Sequence, residues 1–266
     1  MVARLLAALL CFVAGTICAT ANEDRFAFTT GGMARLPNTQ LPSDQGNAIF
    51  DGWFKGAFIL HSGSRGALAL ALRVKHVSDT EKYPFNNSTT AGVELSYKAI
   101  LGKRASLTFK LRHDWSRKRT GTSQEGTRSL VDYFFLDYRV PDTPERMLNM
   151  EVKSRVLKVF ANLTFPETLT SGDTNVAVFS GINYAVNLKI PKNRLQLAPY
   201  VGLNIAWDIK GFSYNNKAQP SVGIKLKHPL PSGDIHLGLR YQGDYRWKTN
   251  TFEHGPGAFI GWYRAF

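Results

Sequence analysis

Beyond residue 18 the chain has no cysteine, because its two, Cys11 and Cys18, both fall near the start. Disulfide staples, thiolate metal sites and a cysteine nucleophile are thereby excluded for everything that follows. Long apolar runs are also missing, with one exception. Residues 5–17, behind Arg4 and ahead of Ala19-Thr20-Ala21, have the charged start, apolar middle and small-residue end of a cleavable export signal. Residues 1–21 are therefore expected to be removed as a signal peptide, with cleavage before Asn22. After Asn22 no stretch approaches the roughly 20 apolar residues that a membrane-crossing α-helix needs, which excludes a helical membrane protein. Gly/Ser/Pro linkers and tandem repeats are absent too, so residues 22–266 read as one domain. Acidic charge is the last shortage: 20 Asp and Glu face 33 Lys and Arg, for a net +13 that the loss of Arg4 lowers only to +12. An exported protein does not meet nucleic acid, so the partners of this charge are sought among other anions.

What the chain does have is alternation. Over about ten residues at a time, apolar and polar side chains take turns, and turn residues separate the stretches, which is the pattern of strands with one face in lipid. In residues 67–78, Leu68, Leu70, Leu72 and Val74 share one face while Ala67, Ala69, Ala71, Arg73 and Lys75 share the other. Residues 105–115 split Leu107, Phe109 and Leu111 from Ser106, Thr108, Lys110 and Arg112. Residues 195–207 split Leu197, Val201, Leu203 and Ile205 from Gln196, Tyr200, Gly202 and Asn204. Two late stretches repeat the split: Val222, Ile224 and Leu226 against Gly223, Lys225 and Lys227, then Leu237, Leu239 and Tyr241 against His236, Gly238, Arg240 and Gln242. Less regular stretches lie near 25–33, 52–61, 89–99, 128–139, 153–165, 175–189 and 256–266. The expected fold is all-β: an antiparallel up-and-down transmembrane β-barrel of about twelve strands.

Connections support this expectation. If the first strand runs outward, every second connection should be tight, as periplasmic turns are. Of the connections due to be tight, residues 61–66, 101–104, 190–193 and 230–233 are short and carry Gly or Pro; only 140–149, with Pro141 and Pro144, is long. The alternate connections, 35–50, 79–88, 116–127, 166–174, 209–218 and 248–255, are longer and polar. Trp53, Trp115, Trp207, Tyr245 and Trp247 fall near expected strand ends, where an interfacial aromatic belt would sit. The last residue, Phe266, is preceded by Trp262, Ile260 and Ala258 at even spacing, which resembles the C-terminal strand that the outer-membrane assembly machinery recognises in bacterial barrels; Arg264 departs from that pattern. The resemblance implies the outer membrane of a Gram-negative bacterium, with its lipid and lipopolysaccharide, as the setting.

The inward face collects the cations Lys55, Arg73, Lys75, Lys98, Lys110, Arg112, Lys158, Lys225, Lys227, Arg240 and Arg246, against Glu94, Asp114, Asp208, Asp234 and Asp244. A barrel of twelve strands is wider than one that side chains alone fill. A wet cationic lumen favours anions, so the expected function is a channel passing anionic solutes or acidic saccharide chains, with no reaction, metal or cofactor. The pattern resembles that of small porins for acidic oligosaccharides, and the same logic applies to barrels exporting exopolysaccharide. Two alternatives stand beside it. One is a structural or adhesive barrel, with internal salt bridges closing it and Arg117, Lys118 and Arg119 holding lipopolysaccharide phosphates. The other is a lipid-ester hydrolase. His76-Val77-Ser78-Asp79 puts a histidine and a serine on the lipid face and resembles the His-x-Ser-Asn stretch of outer-membrane phospholipase A and the lipid A deacylases, with Asp79 where Asn is usual. His61, in an expected turn, His113 and His228 show no metal-ligand spacing.

Overall fold

A computed structural model describes residues 25–36, 47–81, 87–167, 175–212 and 215–266. The expected signal peptide, with both cysteines, lies outside these residues, as do parts of the connections at 35–50, 79–88, 166–174 and 209–218. Thirteen strands follow in chain order: β1 (Phe26–Leu36), β2 (Ile49–Gly63), β3 (Gly66–Asp79), β4 (Ser88–Ile100), β5 (Ala105–Lys118), β6 (Ser123–Arg139), β7 (Arg146–Met147), β8 (Met150–Glu167), β9 (Asn175–Lys189), β10 (Gln196–Asp208), β11 (Lys217–Leu230), β12 (Gly233–Arg246) and β13 (Thr251–Ala265). β7 is a two-residue rung on β8. The other twelve each pair antiparallel with their chain neighbours, and β1 with β13 closes the sheet into a barrel. Closure leaves none of these twelve strands at a sheet edge, which is the condition for crossing a bilayer with strands.

All twelve stretches read from the alternation are strands, and both described termini lie at the same end as the tight turns. That turn end includes the two-residue link between β2 and β3 and the one between β11 and β12. At the opposite, loop end, two connections are shorter than expected. β5 and β6 leave only residues 119–122 between them, and β12 and β13 leave only 247–250. Polar residues there continue the ladder above the apolar band instead of leaving it, so Arg117 and Lys118 belong to β5. Tight turns then finish the job, with Gly121 at φ 87° and Asn250 at φ 50°. His61, expected in a turn, is paired in β2 just after a bulge that shifts the register between Ile59 and His61.

The pairing decides which face is inside. Directly opposite residues share a face, and contacts that skip a strand, such as Lys55 of β2 with Glu94 of β4, are possible only on the concave side. The outer face is an apolar band: Leu70, Phe109, Leu111, Val201, Val222, Leu239 and Ile260 are all exposed, Leu239 at 60%. So much contiguous exposed apolar surface has no place in water, and it forms the lipid-facing wall of a membrane-spanning barrel. The inner face buries polar groups, among them Glu94, Asp114, Asp208, Gln242 and Asp244. The irregular stretch in β6 also resolves, with Asp132 inside opposite Asn162 and Asp137 outside opposite Leu157. A small apolar cluster of Val152, Val186 and Leu188, backed by Met150 and Leu197, packs near the turn end.

Trp53 corrects the expected belt. It pairs with Lys75 and Gly31, both inward, and its ring lies 6.2 Å from that of Tyr263 inside the barrel. Four further residues of β2 lie between it and the start of the strand, so it is not at a strand end. Trp115 and Tyr245 do face outward near the loop end.

The β1–β13 seam is closed on its lipid side by Trp262, whose ring stacks on Phe50 at 5.7 Å and covers Gly32. A Cβ at residue 32 would overlap that ring and come within 2.6 Å of the Asp51 carbonyl oxygen. Gly32→Val is expected to displace Trp262 and to destabilise the folded barrel by about 1–3 kcal/mol, the usual cost of overpacking. Urea unfolding in detergent, read by heat-modifiable gel migration, checks this; an unchanged midpoint would mean that the seam does not depend on this contact.

Candidate functional site

The lumen carries charge on two walls built in different ways. On the wall of β2–β6 the cations meet carboxylates. Glu94, 1% exposed, receives Lys55 Nζ at 2.6 Å and Arg112 through NH2 at 2.6 Å and Nε at 3.0 Å. Arg128 donates to the fully buried Asp114 at 2.8 Å, Lys110 pairs with Asp132, which also takes a bond from Asn162, and Lys75 pairs with Asp51 at 3.0 Å. These are largely self-neutralising contacts. Arg73 is an exception, since it makes no ion pair among the described residues, and Lys98 at the turn end is another. With Lys75, Lys110, Arg112 and Arg128, Arg73 lines a cavity of about 530 Å³ in which Asp132 is the sole acid among the described residues, alongside the neutral Ser88, Thr90, Asn162 and Thr164.

On the wall of β8–β13 Lys158, Lys225 and Arg240 meet aromatic rings, while Lys217 and Arg246 share Asp244 at 3.7 and 3.3 Å near the loop end. Lys158 Nζ lies 5.4 Å from the centre of Phe160 and 5.5 Å from that of Phe134. Lys225 Nζ lies 4.7 Å from Tyr200 and 5.7 Å from Phe259, and the Arg240 guanidinium lies 5.6 Å from Phe259. A ring face attracts a cation through its quadrupole without cancelling the charge. Each of three rings in turn lies flat on a glycine directly across the ladder: Phe160 on Gly181, Tyr200 on Gly223 and Phe259 on Gly238. A Cβ at Gly181 or Gly223 would sit 2.7 or 2.8 Å from the ring atoms, and one at Gly238 would overlap the Phe259 ring. Glycine thus lets the rings lie against the wall instead of standing across the lumen.

Lys55, Lys75, Lys110 and Arg112 join the ion-paired wall, and Arg73 faces the cavity. Lys158, Lys225 and Arg240 lie on rings. Lys227 reaches Asn187 at 3.3 Å and Arg246 reaches Asp244 at 3.3 Å. Lys98 is on the inner face at the turn end, opposite Ala67 and Thr108. Arg35, Arg128 and Lys217 also face inward but fell outside the stretches where alternation was readable. Tyr200 falls on the inward face in the alternation, but Phe160 and Phe259 were missed, because local sequence carries no record of which glycine stands across the ladder.

His76 and Ser78 face outward, as the alternation requires. His76 Nδ1 is 2.9 Å from Thr89 Oγ1, and no hydrogen bond joins it to Ser78 among the described residues. His113, also outward, sits between Thr127 and Glu125 and edge-on to Trp115 at 4.5 Å. No group of three or more potential metal ligands occurs among the described residues.

No protein-family model and no curated protein matches the chain. Among solved structures, the chain is similar to the β domain of the Bordetella autotransporter BrkA, with 12% identity, 91% of this chain and 99% of that one covered, and a TM-score of 0.43. An outer membrane channel from Pseudomonas putida F1 gives 9% identity, 91% and 95% coverage and a TM-score of 0.43. The Acinetobacter baumannii outer membrane protein Omp33 gives 10%, 91% and 97%, and 0.38.

Proposed function

We propose that the barrel lies in the outer membrane of a Gram-negative bacterium, turn end toward the periplasm, and conducts anionic solutes, acidic saccharide chains among them. The observation that carries this reading is the ring-held set of Lys158, Lys225 and Arg240, which make no ion pair among the described residues. Their positive potential acts along a wall that also offers aromatic surface, a combination suited to a sugar bearing carboxylates. The proposal includes no chemical step.

Planar-bilayer recording tests it. Under a salt gradient the zero-current potential is expected to have the sign of anion preference, and an oligouronate is expected to interrupt the current at concentrations where a neutral glucan of equal length does not. A closed or cation-selective barrel would overturn the proposal.

A further inference from the structure

On the outer wall at the turn end, three arginines converge beside the connection of residues 140–149. Arg139 ends β6 and stands opposite Arg155 of β8, while Arg104 comes from the turn between β4 and β5. Arg139 Nε donates to Asp137 at 2.7 Å, and Arg104 NH1 lies 3.1 Å from the other Asp137 oxygen. Arg155 gives NH2 to Glu145 at 2.7 Å and NH1 to the Tyr184 hydroxyl at 3.0 Å. Asp137, Arg139, Arg155, Leu157 and Tyr184 line a cavity of about 230 Å³.

Three guanidinium groups against two carboxylates leave one positive charge in excess. Donors are left over as well. The terminal nitrogens of Arg139 have no partner among the described residues, and the Tyr184 hydroxyl, accepting from Arg155, still has its proton to give. Spare forked donors on a lipid-facing wall match phosphate oxygens in both geometry and charge. Leu157, Val159 and Ile182 continue from the cavity as an apolar wall along which an acyl chain can lie.

We infer that this cleft seats the headgroup of an anionic glycerophospholipid from the turn-end leaflet, its phosphodiester between Arg139 and Arg155. The inference rests on the membrane placement proposed above and is independent of conduction. Native mass spectrometry of the detergent-purified full barrel, with phosphatidylglycerol or phosphatidylethanolamine added at equal ratio, tests it. The wild-type protein is expected to retain one phosphatidylglycerol in preference to phosphatidylethanolamine. Arg139→Gln with Arg155→Gln should lower that retention at least tenfold, and Arg117→Gln at the loop end should leave it unchanged. Asp137→Asn, which frees Arg104 and Arg139, should raise it, and this single exchange serves if the double variant does not fold. Retention that favours phosphatidylethanolamine, survives the double exchange or fails to rise in Asp137→Asn overturns the site, whatever the conductance.

Discussion

Replacing Lys158, Lys225 and Arg240 together by glutamine is expected to lower the anion-over-cation permeability ratio about tenfold. Coulomb's law sets the scale: an anion about 6 Å from one of these charges gains roughly 3 kcal/mol at an effective dielectric near 20 and under 1 kcal/mol in bulk water. A wet lumen lies between those limits, and about 1.4 kcal/mol corresponds to a factor of ten. The comparison that isolates the ring-held charges is Lys110→Gln with Asp132→Asn, which removes a neutral pair from the opposite wall and should scarcely move the zero-current potential. If the two sets shifted the potential equally, the distinction between the walls would carry no functional weight. The effect should also shrink as salt is raised toward 1 M, where the Debye length falls to about 3 Å.

That contrast between walls also marks the limit of what the sequence makes legible. Alternation at period two suffices to put Lys55, Arg73, Lys110, Lys225 and Arg240 on one face, because a strand crossing lipid must segregate its side chains. It does not say what each cation touches. Lys225 rests on Tyr200 and Phe259, residues 25 and 34 positions away that only the register of β10, β11, β12 and β13 brings together. Phe259 is apolar on an inward position, against the rule that reads apolar as lipid-facing, and the reason is Gly238 beneath it. Trp53 fails in the same way: it shares parity with Lys55, but its size suggests an interfacial anchor until Gly31 is seen across the ladder. The ends of β5, β6, β12 and β13 were hidden for a different reason, since strands that continue past the membrane into water lose their apolar face while keeping their hydrogen bonds.

Glu94→Gln is the substitution expected to cost most in stability, about 2–3 kcal/mol. Its carboxylate is 1% exposed and holds two cations at 2.6 Å, one from each neighbouring side of β4's inner face. Breaking a buried pair by removing one partner usually costs roughly 3–5 kcal/mol, because the charges left behind stay desolvated and unpaired. The lower figure is appropriate because Lys55 keeps 30% of its side-chain exposure and can turn toward lumenal water. Arg112, at 12%, cannot do so as easily, and Arg73 stands nearby with no carboxylate of its own. Loss of Glu94 therefore adds self-repulsion to an already cationic wall. A second exchange, Arg112→Gln, should recover part of the loss, and the non-additivity of the pair measures their coupling directly. Urea midpoints in detergent supply the readout, with the gap between wild type and Glu94→Gln narrowing at high salt as repulsion is screened. The same variant should increase anion preference while it weakens the fold, since it unmasks positive charge in the lumen. A midpoint equal to that of the wild type would show that Lys55 and Arg112 are held by the barrel rather than by Glu94.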